Sequence, residues 1–354
     1  VSSTRRANVI GLGLIGSSIA VALRDRGWSV HGEDASTEVM GRARDLGIIE
    51  TEGVDPTAEI TFVAVPVSAV PDQVARALEI TAGVVTDVGS VKASVCTACD
   101  HPRFVGGHPM AGSELDGLEG ADGEMFNGAV WVLTPVEHSN DATFALVAQV
   151  VASMGAEVVA LTPQRHDEVV AVISHVPHLA AATLMGVAAD RSEEHAALLR
   201  LAAGGFRDMT RIASGSTEIW LDICAENRVA IVDVLDELIG GLAEVRRAVD
   251  VGARQDLHLR LTRARHARTN LPGRITDPAN LAEIRIPIPD RPGAAAEVFT
   301  LAAELGVNIA NFEVVHMAES ARGVAVVLID AEAAELFRGG LLARGFRPSV
   351  VPLG

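Results

Sequence analysis

Along its first part the chain sets short apolar runs against stretches of helical periodicity. Asn8-Val9-Ile10, Ile60 to Val65 and Val84 to Val88 have the continuous apolar character of parallel strands covered on both faces. Ser29-Val30-His31 adds a second strand, and Arg103-Phe104-Val105, Trp131-Val132-Leu133 and Val158-Val159-Ala160 extend the set. After the first strand, Ile15, Ile19, Ala22 and Leu23 fall on one face of a helix that ends at Gly27. Strand and helix in alternation predict an α/β domain with a mainly parallel sheet, closing near residue 163.

From Gln164 the pattern changes to long helical periodicity. Between Glu226 and Val251, Ile231, Leu235, Leu238, Leu242 and Val245 make one stripe at alternating spacings of four and three, widened by Val232, Val234 and Ile239. Such a stripe needs a partner helix, in a second copy of the chain or in an intrachain bundle. A helical domain over 164–266 follows, and the segment from Arg265 to Asn280, rich in arginine, threonine, proline and glycine, reads as a linker covering 267–280. The remainder, 281–354, is a third unit. Ile284, Ile286 and Ile288 alternate in a strand, Asp290-Arg291-Pro292-Gly293 turns, and Ala294 to Leu305 is a helix stopped by Gly306. Ile309 to Val315 and Val324 to Ile329 are strands, Ala331 to Arg344 a helix, and Pro348 to Val351 a last strand. That order, βαββαβ, is ferredoxin-like.

Gly11-Leu12-Gly13-Leu14-Ile15-Gly16 stands between the first strand and its helix, the context that turns a weak glycine motif into a dinucleotide fingerprint. Gly11 serves the tight turn, Gly13 the approach of the pyrophosphate, Gly16 the packing of helix on strand, and the helix N-terminus offers amide donors. Glu33-Asp34 ends the second strand where an acid bonds the ribose hydroxyls. Asp34 is the preferred occupant, and no arginine follows to take a 2′-phosphate, so the expected cofactor is NAD, in a Rossmann-type domain. Val65-Pro66 and the Asp87-Val88-Gly89-Ser90-Val91-Lys92 loop lie at the carboxyl edge of the sheet, where ligands of such sheets bind.

The most distinctive stretch is Gly106-Gly107-His108-Pro109-Met110-Ala111-Gly112-Ser113-Glu114, read as a loop after the strand at Arg103-Phe104-Val105. Its glycines leave room for a ligand beside the imidazole, which makes His108 a candidate acid/base group or, alternatively, a histidine capping a turn. Further on, Pro177 disturbs a helix between His175 and His178, which fall near one face; ligand contact, a metal site and a packed core histidine all remain open. Gly204-Gly205 breaks the chain before a short turn with Arg207 and Arg211. An arginine there is a solvated residue or, with its planar fork, a carboxylate clamp. Cys96 and Cys99, one CxxC without a second pair, read as small packed residues rather than zinc ligands or a redox site.

Composition narrows the function class. With 354 residues, 49% apolar and 21% charged, the chain is long enough for two or three cores at ~150 residues each. It has no run of ~18 uninterrupted apolar residues to span a membrane, and its start lacks the features of a signal peptide. Only 3 cysteines in this length agree with a reducing, cytoplasmic setting. A net charge of −17 argues against nucleic acid, and any anionic substrate has to be drawn in by local positive groups.

The combination of Gly106 to Glu114, the Asp87 to Lys92 loop, Ser174 to His178, and Gly204 to Ala213 with Trp220 resembles the prephenate/arogenate dehydrogenase family of tyrosine biosynthesis, and the third unit looks like an ACT regulatory domain. What the resemblance implies is NAD-dependent oxidative decarboxylation of prephenate to 4-hydroxyphenylpyruvate, in a homodimer joined through the helical domains. It implies that His108 accepts the proton of the ring hydroxyl, that Ser90 orients that hydroxyl and that Arg211 holds the ring carboxylate. By the same resemblance His178 and Trp220 line the side-chain end, Gly204, Arg207 and Ser113 belong to the substrate side, no metal is needed, and tyrosine is an expected effector of the ACT unit. Arogenate is the rival substrate. A β-hydroxyacid dehydrogenase would use a lysine on the helical domain, and no lysine follows Lys92. A non-catalytic sensor of NAD and an amino acid is the reading from another class.

Overall fold

The computed structural model describes residues 4–112, 117–194, 201–269, 281–289, 293–316 and 322–352. Two compact units divide the chain, Val1–Leu257 and His258–Gly354. In the first, β1 (Arg6–Ile10), α1 (Leu14–Asp25), β2 (Ser29–Glu33), α2 (Thr37–Asp45) and β3 (Thr51–Glu52) build one half of a sheet. The other half holds β4 (Ile60–Val63), α3 (Val70–Ile80), β5 (Val84–Asp87), α4 (Ala93–Ala98), β6 (Phe104–Pro109), β7 (Val130–Thr134), α5 (Asp141–Ser153) and β8 (Glu157–Ala160). The strand order is β3-β2-β1-β4-β5-β6-β7-β8, so the winding reverses between β1 and β4. β1 to β6 pair in parallel, β7 runs antiparallel to β6, and β8 runs parallel to β7. This is the doubly wound arrangement, whose ligand crevice lies over the carboxyl ends at the reversal.

The apolar runs have the cause read from them. Ala7, Val9, Ile60 and Phe62 enter one core with Ile19, Leu23, Trp131 and Val151, while Ile10, Val63, Val74, Val85 and Phe104 enter a second core with Val95 and Cys96. Successive residues of a strand thus feed opposite layers, and both faces of the sheet are covered. The two-residue β3, which carries no apolar pattern, was not expected. Gly106 to Pro109 also differ from expectation, since they belong to β6 and not to a loop. Their register against β7, with Gly106 opposite Thr134 and His108 opposite Val132, places the histidine on a rigid strand.

Helices follow: α6 (Pro163–Val170), a π turn at Ala171–His175, α7 (Val176–Glu194), α8 (Gly204–Thr210), α9 (Thr217–Glu226), α10 (Arg228–Asp250) and α11 (Arg254–Thr269). Pro177 has no N–H to give and its ring crowds the carbonyl four residues back, so the ladder opens just ahead of it into the wide turn. Gly204 and Gly205, expected to break the chain, instead begin α8. Residues 265–269, assigned to a linker, are the end of α11, and 270–280 lie outside the described residues. The stretch Pro163–Arg191 is long and apolar enough to cross a membrane by length and composition. Within it, however, His166, Asp167 and His175 are buried and hydrogen-bonded to other parts of the domain. It is a core helix.

The second unit contains β9 (Leu281–Pro289), α12 (Ala294–Leu305), β10 (Ile309–His316), β11 (Arg322–Asp330), α13 (Ala334–Ala343) and β12 (Ser349–Pro352). Its antiparallel sheet is ordered β10-β11-β9-β12, with Ile284, Ile286 and Ile288 turned into a core made with Val298, Leu301, Phe337 and Leu341. The βαββαβ order of elements is as expected. Gly306, at φ 67°, ends α12 in the left-handed conformation that a side chain resists. Asp290, Arg291 and Pro292 lie outside the described residues.

The α10 stripe divides along its length. Ile231 is buried against Ala171, Val176 and Ile223, whereas Val232, Leu238, Ile239 and Leu242 face solvent in the single chain. An apolar strip left open on a long helix is the kind of face that packs against a partner helix. Replacing Leu238 and Leu242 together by Glu is therefore expected to convert a dimeric particle into a monomer in sedimentation, and an unchanged mass would count against this surface.

Candidate functional site

At the reversal of the sheet the glycine motif takes the shape its chemistry needs. Gly11, at φ +92°, donates its N–H to the Glu33 carbonyl at 2.7 Å, and an added Cβ there would sit 2.3 Å from the Ala64 carbonyl oxygen. A Cβ on Gly16 would meet the Gly11 oxygen at 1.9 Å, so this glycine lets α1 approach the turn. Gly13, by contrast, has nothing within 4 Å and is exposed at the N-terminus of α1, while Leu14 and Ile15 are half-buried beside it. Two of the glycines are thus required by the protein and the third leaves its space outside.

Asp34 completes the rim. Its Oδ2 accepts from the Leu12 N–H at 2.7 Å and its Oδ1 from the Ser36 N–H at 2.9 Å, which fixes a half-exposed carboxylate beside the glycine turn. Glu33 is otherwise engaged, bound by both terminal nitrogens of Arg76 at 2.6 and 2.9 Å. Val65 is half-buried and Pro66 exposed on the loop after β4. An open Gly13, free amides at a helix start and an oriented carboxylate fit a dinucleotide.

Asp87, on the loop expected to border the cofactor, turns its side chain inward. Its side chain is fully buried, paired with Lys92 and accepting from the Gly89 N–H at 2.8 Å and the Gly107 N–H at 3.1 Å. Lys92 is itself buried and is the only lysine of the chain. This pair clamps the β5–α4 loop to β6, leaving Gly89 buried and Ser90 half-buried, with no hydrogen bond from the Ser90 hydroxyl among the described residues. The glycines before His108 are also explained by contact rather than flexibility. A Cβ on Gly107 would lie 2.7 Å from the Asp87 carbonyl oxygen, and one on Gly106 would lie 2.4 Å from Thr134 Oγ1 and 2.8 Å from Cys96 Sγ.

His108 is held from behind. Its Nδ1 lies 2.8 Å from His166 Nε2, and His166 Nδ1 lies 2.7 Å from Asp167 Oδ1. The Asp167 carboxylate also accepts from the backbone N–H groups of Lys92 and Ala93, at 2.8 and 2.9 Å. Burial first, and then the neighbouring His166, Lys92 and His175, hold His108 well below the usual imidazole range. At neutral pH it is therefore uncharged and able to accept a proton.

A second group adjoins this one. Asn227 Nδ2 donates to the Asp167 carbonyl at 2.9 Å and meets His175 Nδ1 at 3.1 Å. His175 Nε2 is buried without a hydrogen-bond partner among the described residues, and burial pushes this ring down to about 4. His175 stands edge-on to Trp220 at 6.0 Å, and His178 stacks on the same indole at 3.6 Å and 12°. On an unbroken α-helix His166 and His175 would be about two and a half turns apart, on opposite sides. The π turn between them reduces that offset, and His166 meets His108 while His175 meets Asn227. Burial also lowers His178, against a hydrogen bond to the Ile212 backbone.

That backbone contact sets the short turn Arg211–Ser214 beside the indole, and Ser68 Oγ donates to Asp222 Oδ2 at 2.7 Å, tying α9 to the carboxyl edge of the sheet. Arg211, Arg207 and Gly204 are exposed in the single chain, and Arg207 Nε donates to the Ala202 carbonyl. Ser113 lies outside the described residues. Sequence reasoning assigned no role to His166 and did not single out Asp167 or Asn227. The available signals were an adjacent His-Asp pair just inside the cap of the first helix, and a lone lysine five positions after an acid at a strand end. Burial pushes the Cys96 thiol up to about 11 and Cys99 up to about 12, so both are packing residues as expected.

The family profile "Prephenate dehydrogenase, nucleotide-binding domain" matches residues 19–160, and "Prephenate dehydrogenase, dimerization domain" matches 162–263. A prephenate dehydrogenase of Bacillus subtilis is 33% identical over 331 residues, 89% of each chain, a span too long to end at residue 263. Among solved structures, prephenate dehydrogenase of A. aeolicus, in complex with hydroxyphenyl propionate and NAD+, superposes with a TM-score of 0.71 at 28% identity, over 75% of this chain and 98% of that one. Synechocystis arogenate dehydrogenase gives 0.65 at 29% identity, over 75% and 99%.

The Asp87–Lys92 clamp generates a stability prediction. Lys92→Met leaves a buried carboxylate without its cation and should lower unfolding free energy by about 3–5 kcal/mol in a denaturant titration. A loss below 1 kcal/mol would mean that the Gly89 and Gly107 amides suffice.

Proposed function

The chain belongs to the prephenate dehydrogenase family, and from that footing we propose that it oxidises and decarboxylates prephenate to 4-hydroxyphenylpyruvate with NAD as the electron acceptor. The observation that carries this reading is an uncharged imidazole, His108, set on a rigid strand at the same sheet edge as the Gly11–Gly16 turn. NAD supplies the hydride acceptor; the chain holds it with that turn, the N-terminus of α1 and Asp34. His108 takes the proton of the ring hydroxyl as the carbonyl forms, and loss of carbon dioxide then makes the ring aromatic. The unengaged hydroxyl of Ser90 orients the substrate hydroxyl, and Arg211 holds the ring carboxylate, drawing an anion into a chain of net charge −17. His178 and Trp220 line the side-chain end, and Gly204, Arg207 and Ser113 are further substrate contacts. The enzyme works as a homodimer through the open face of α10, with a dinucleotide domain over 1–163, a helical domain over 164–266 and a linker over 267–280. Its unpaired cysteines suit the cytoplasm.

Following NADH absorbance with prephenate and arogenate in parallel, and with NAD and NADP in turn, tests the assignment. Turnover should favour prephenate and NAD, because the Asp34 carboxylate repels a 2′-phosphate; preference for arogenate or NADP would reassign that part. His108→Asn should lower kcat by roughly 10²–10⁴-fold with substrate affinity retained.

The unit over 281–354 acts as an ACT-like regulatory domain that binds tyrosine and lowers activity. Its βαββαβ order supports this reading, as does the Bacillus relative's match beyond residue 263. Coupling of this kind requires tyrosine to bind one state of the dimer better than another, typically by ~1–3 kcal/mol. Tyrosine should inhibit the full chain and not a chain ending at Asn280. Equal inhibition of both would place the amino acid at the active site instead.

A further inference from the structure

We propose that Asp167 and His166 form a proton relay behind His108, fixing which of its nitrogens is bare and receiving the charge that it gains. The proposal rests on the reading of His108 as the base. Asp167 has both carboxylate oxygens held by the Lys92 and Ala93 amides, so it presents a fixed acceptor to His166 Nδ1. A carboxylate only accepts, so His166 carries its proton on Nδ1 and has a lone pair on Nε2. The 2.8 Å contact from that nitrogen then requires a proton on His108 Nδ1. His108 Nε2 is left with a lone pair, the form a base needs. One carboxylate sets two tautomers in series.

The same chain answers an energetic difficulty. A half-buried imidazole beside Lys92, His166 and His175 is a poor place for a positive charge, and Lys92, the cation beside it among the described residues, is paired with Asp87 rather than with either ring. His175, whose Nδ1 meets Asn227, supplies no anion. As the substrate C–H electrons leave as hydride to NAD, the hydroxyl proton bonds to His108 Nε2 and the proton on His108 Nδ1 passes to His166 Nε2. Positive charge then rests on His166, in contact with the Asp167 carboxylate. The transfers reverse after product leaves, returning one proton to water through His108.

Two variants separate the relay from simple packing. His166→Gln keeps an acceptor for His108 Nδ1–H but cannot take a proton, and Asp167→Asn removes the charge and can offer His166 a donor. Both should lower kcat with prephenate by roughly 10²–10⁴-fold, with KM and NAD affinity little changed. In Asp167→Asn the acidic limb of the kcat–pH profile should also move to lower pH, because protonated His108–His166 loses its counter-charge. A readout independent of turnover is the ¹⁵N shifts of histidine-labelled protein without cofactor, which should show both rings protonated on Nδ1. Folded variants with wild-type kcat, a fall in kcat with the limb unmoved, or a His108 ring protonated on Nε2 would each overturn the relay. His108→Asn run alongside distinguishes the two levels. If it is inactive while His166→Gln is normal, the relay fails and the base stands; if it is fully active, both fail.

Discussion

The carboxylate of Asp167 is the tie on which the active edge depends. Asp167 lies in the first helix after the sheet, yet both its oxygens are spent on the amides of Lys92 and Ala93, and one also reaches His166. Charge-assisted bonds of this kind are short and directional, and inside a protein they have no water to compete with. They set the start of the helical region against the β5–α4 loop. His108 on β6, the loop carrying Ser90 and the histidines after β8 are thereby held in one frame.

A second buried carboxylate, Asp87, does the corresponding work inside the sheet. It bonds the backbone at Gly89 and Gly107 and pairs with Lys92, so the loop after β5 and the strand before His108 cannot move apart. The pairing is costly to desolvate and would be a weak source of stability beside apolar packing. Its value is positional. Gly106 and Gly107 belong to the same economy of space, because a side chain at either would strike Thr134, Cys96 or the Asp87 backbone. A close approach of strands and loops is what brings an imidazole to the edge without flexible backbone beneath it.

Helical irregularity has a comparable positional effect. Pro177 and the π turn before it rotate His175 and His178 relative to His166, so that His166 meets His108 while His175 and His178 meet Asn227 and Trp220. Local backbone chemistry, an absent N–H and a crowded carbonyl, thus decides which rings meet. The lowered proton affinity of His108, His175 and His178 then follows from shared burial.

Much of the fold was legible in the chain because its signals are local. Continuous apolar runs mark strands buried on both faces, the glycine turn is read from spacing and context, and the alternation of Ile284, Ile286 and Ile288 points to one face of a sheet. His108, Asp34 and the α10 stripe could be singled out for the same reason, residue type in a local pattern. Partners were not legible. That Asp87 turns inward to the Gly107 amide, that Glu33 is taken by Arg76, and that His166, Asp167 and Asn227 stand behind His108 and His175 are matters of long-range contact, between positions 20 or more residues apart. Periodicity says which face of an element is apolar, but it carries no record of which polar groups meet once the water between them is gone. Sequence by itself therefore determined the elements, the glycine turn and the candidate base. Only tertiary structure, through burial and the need to satisfy every buried polar group, decided which side chains orient it.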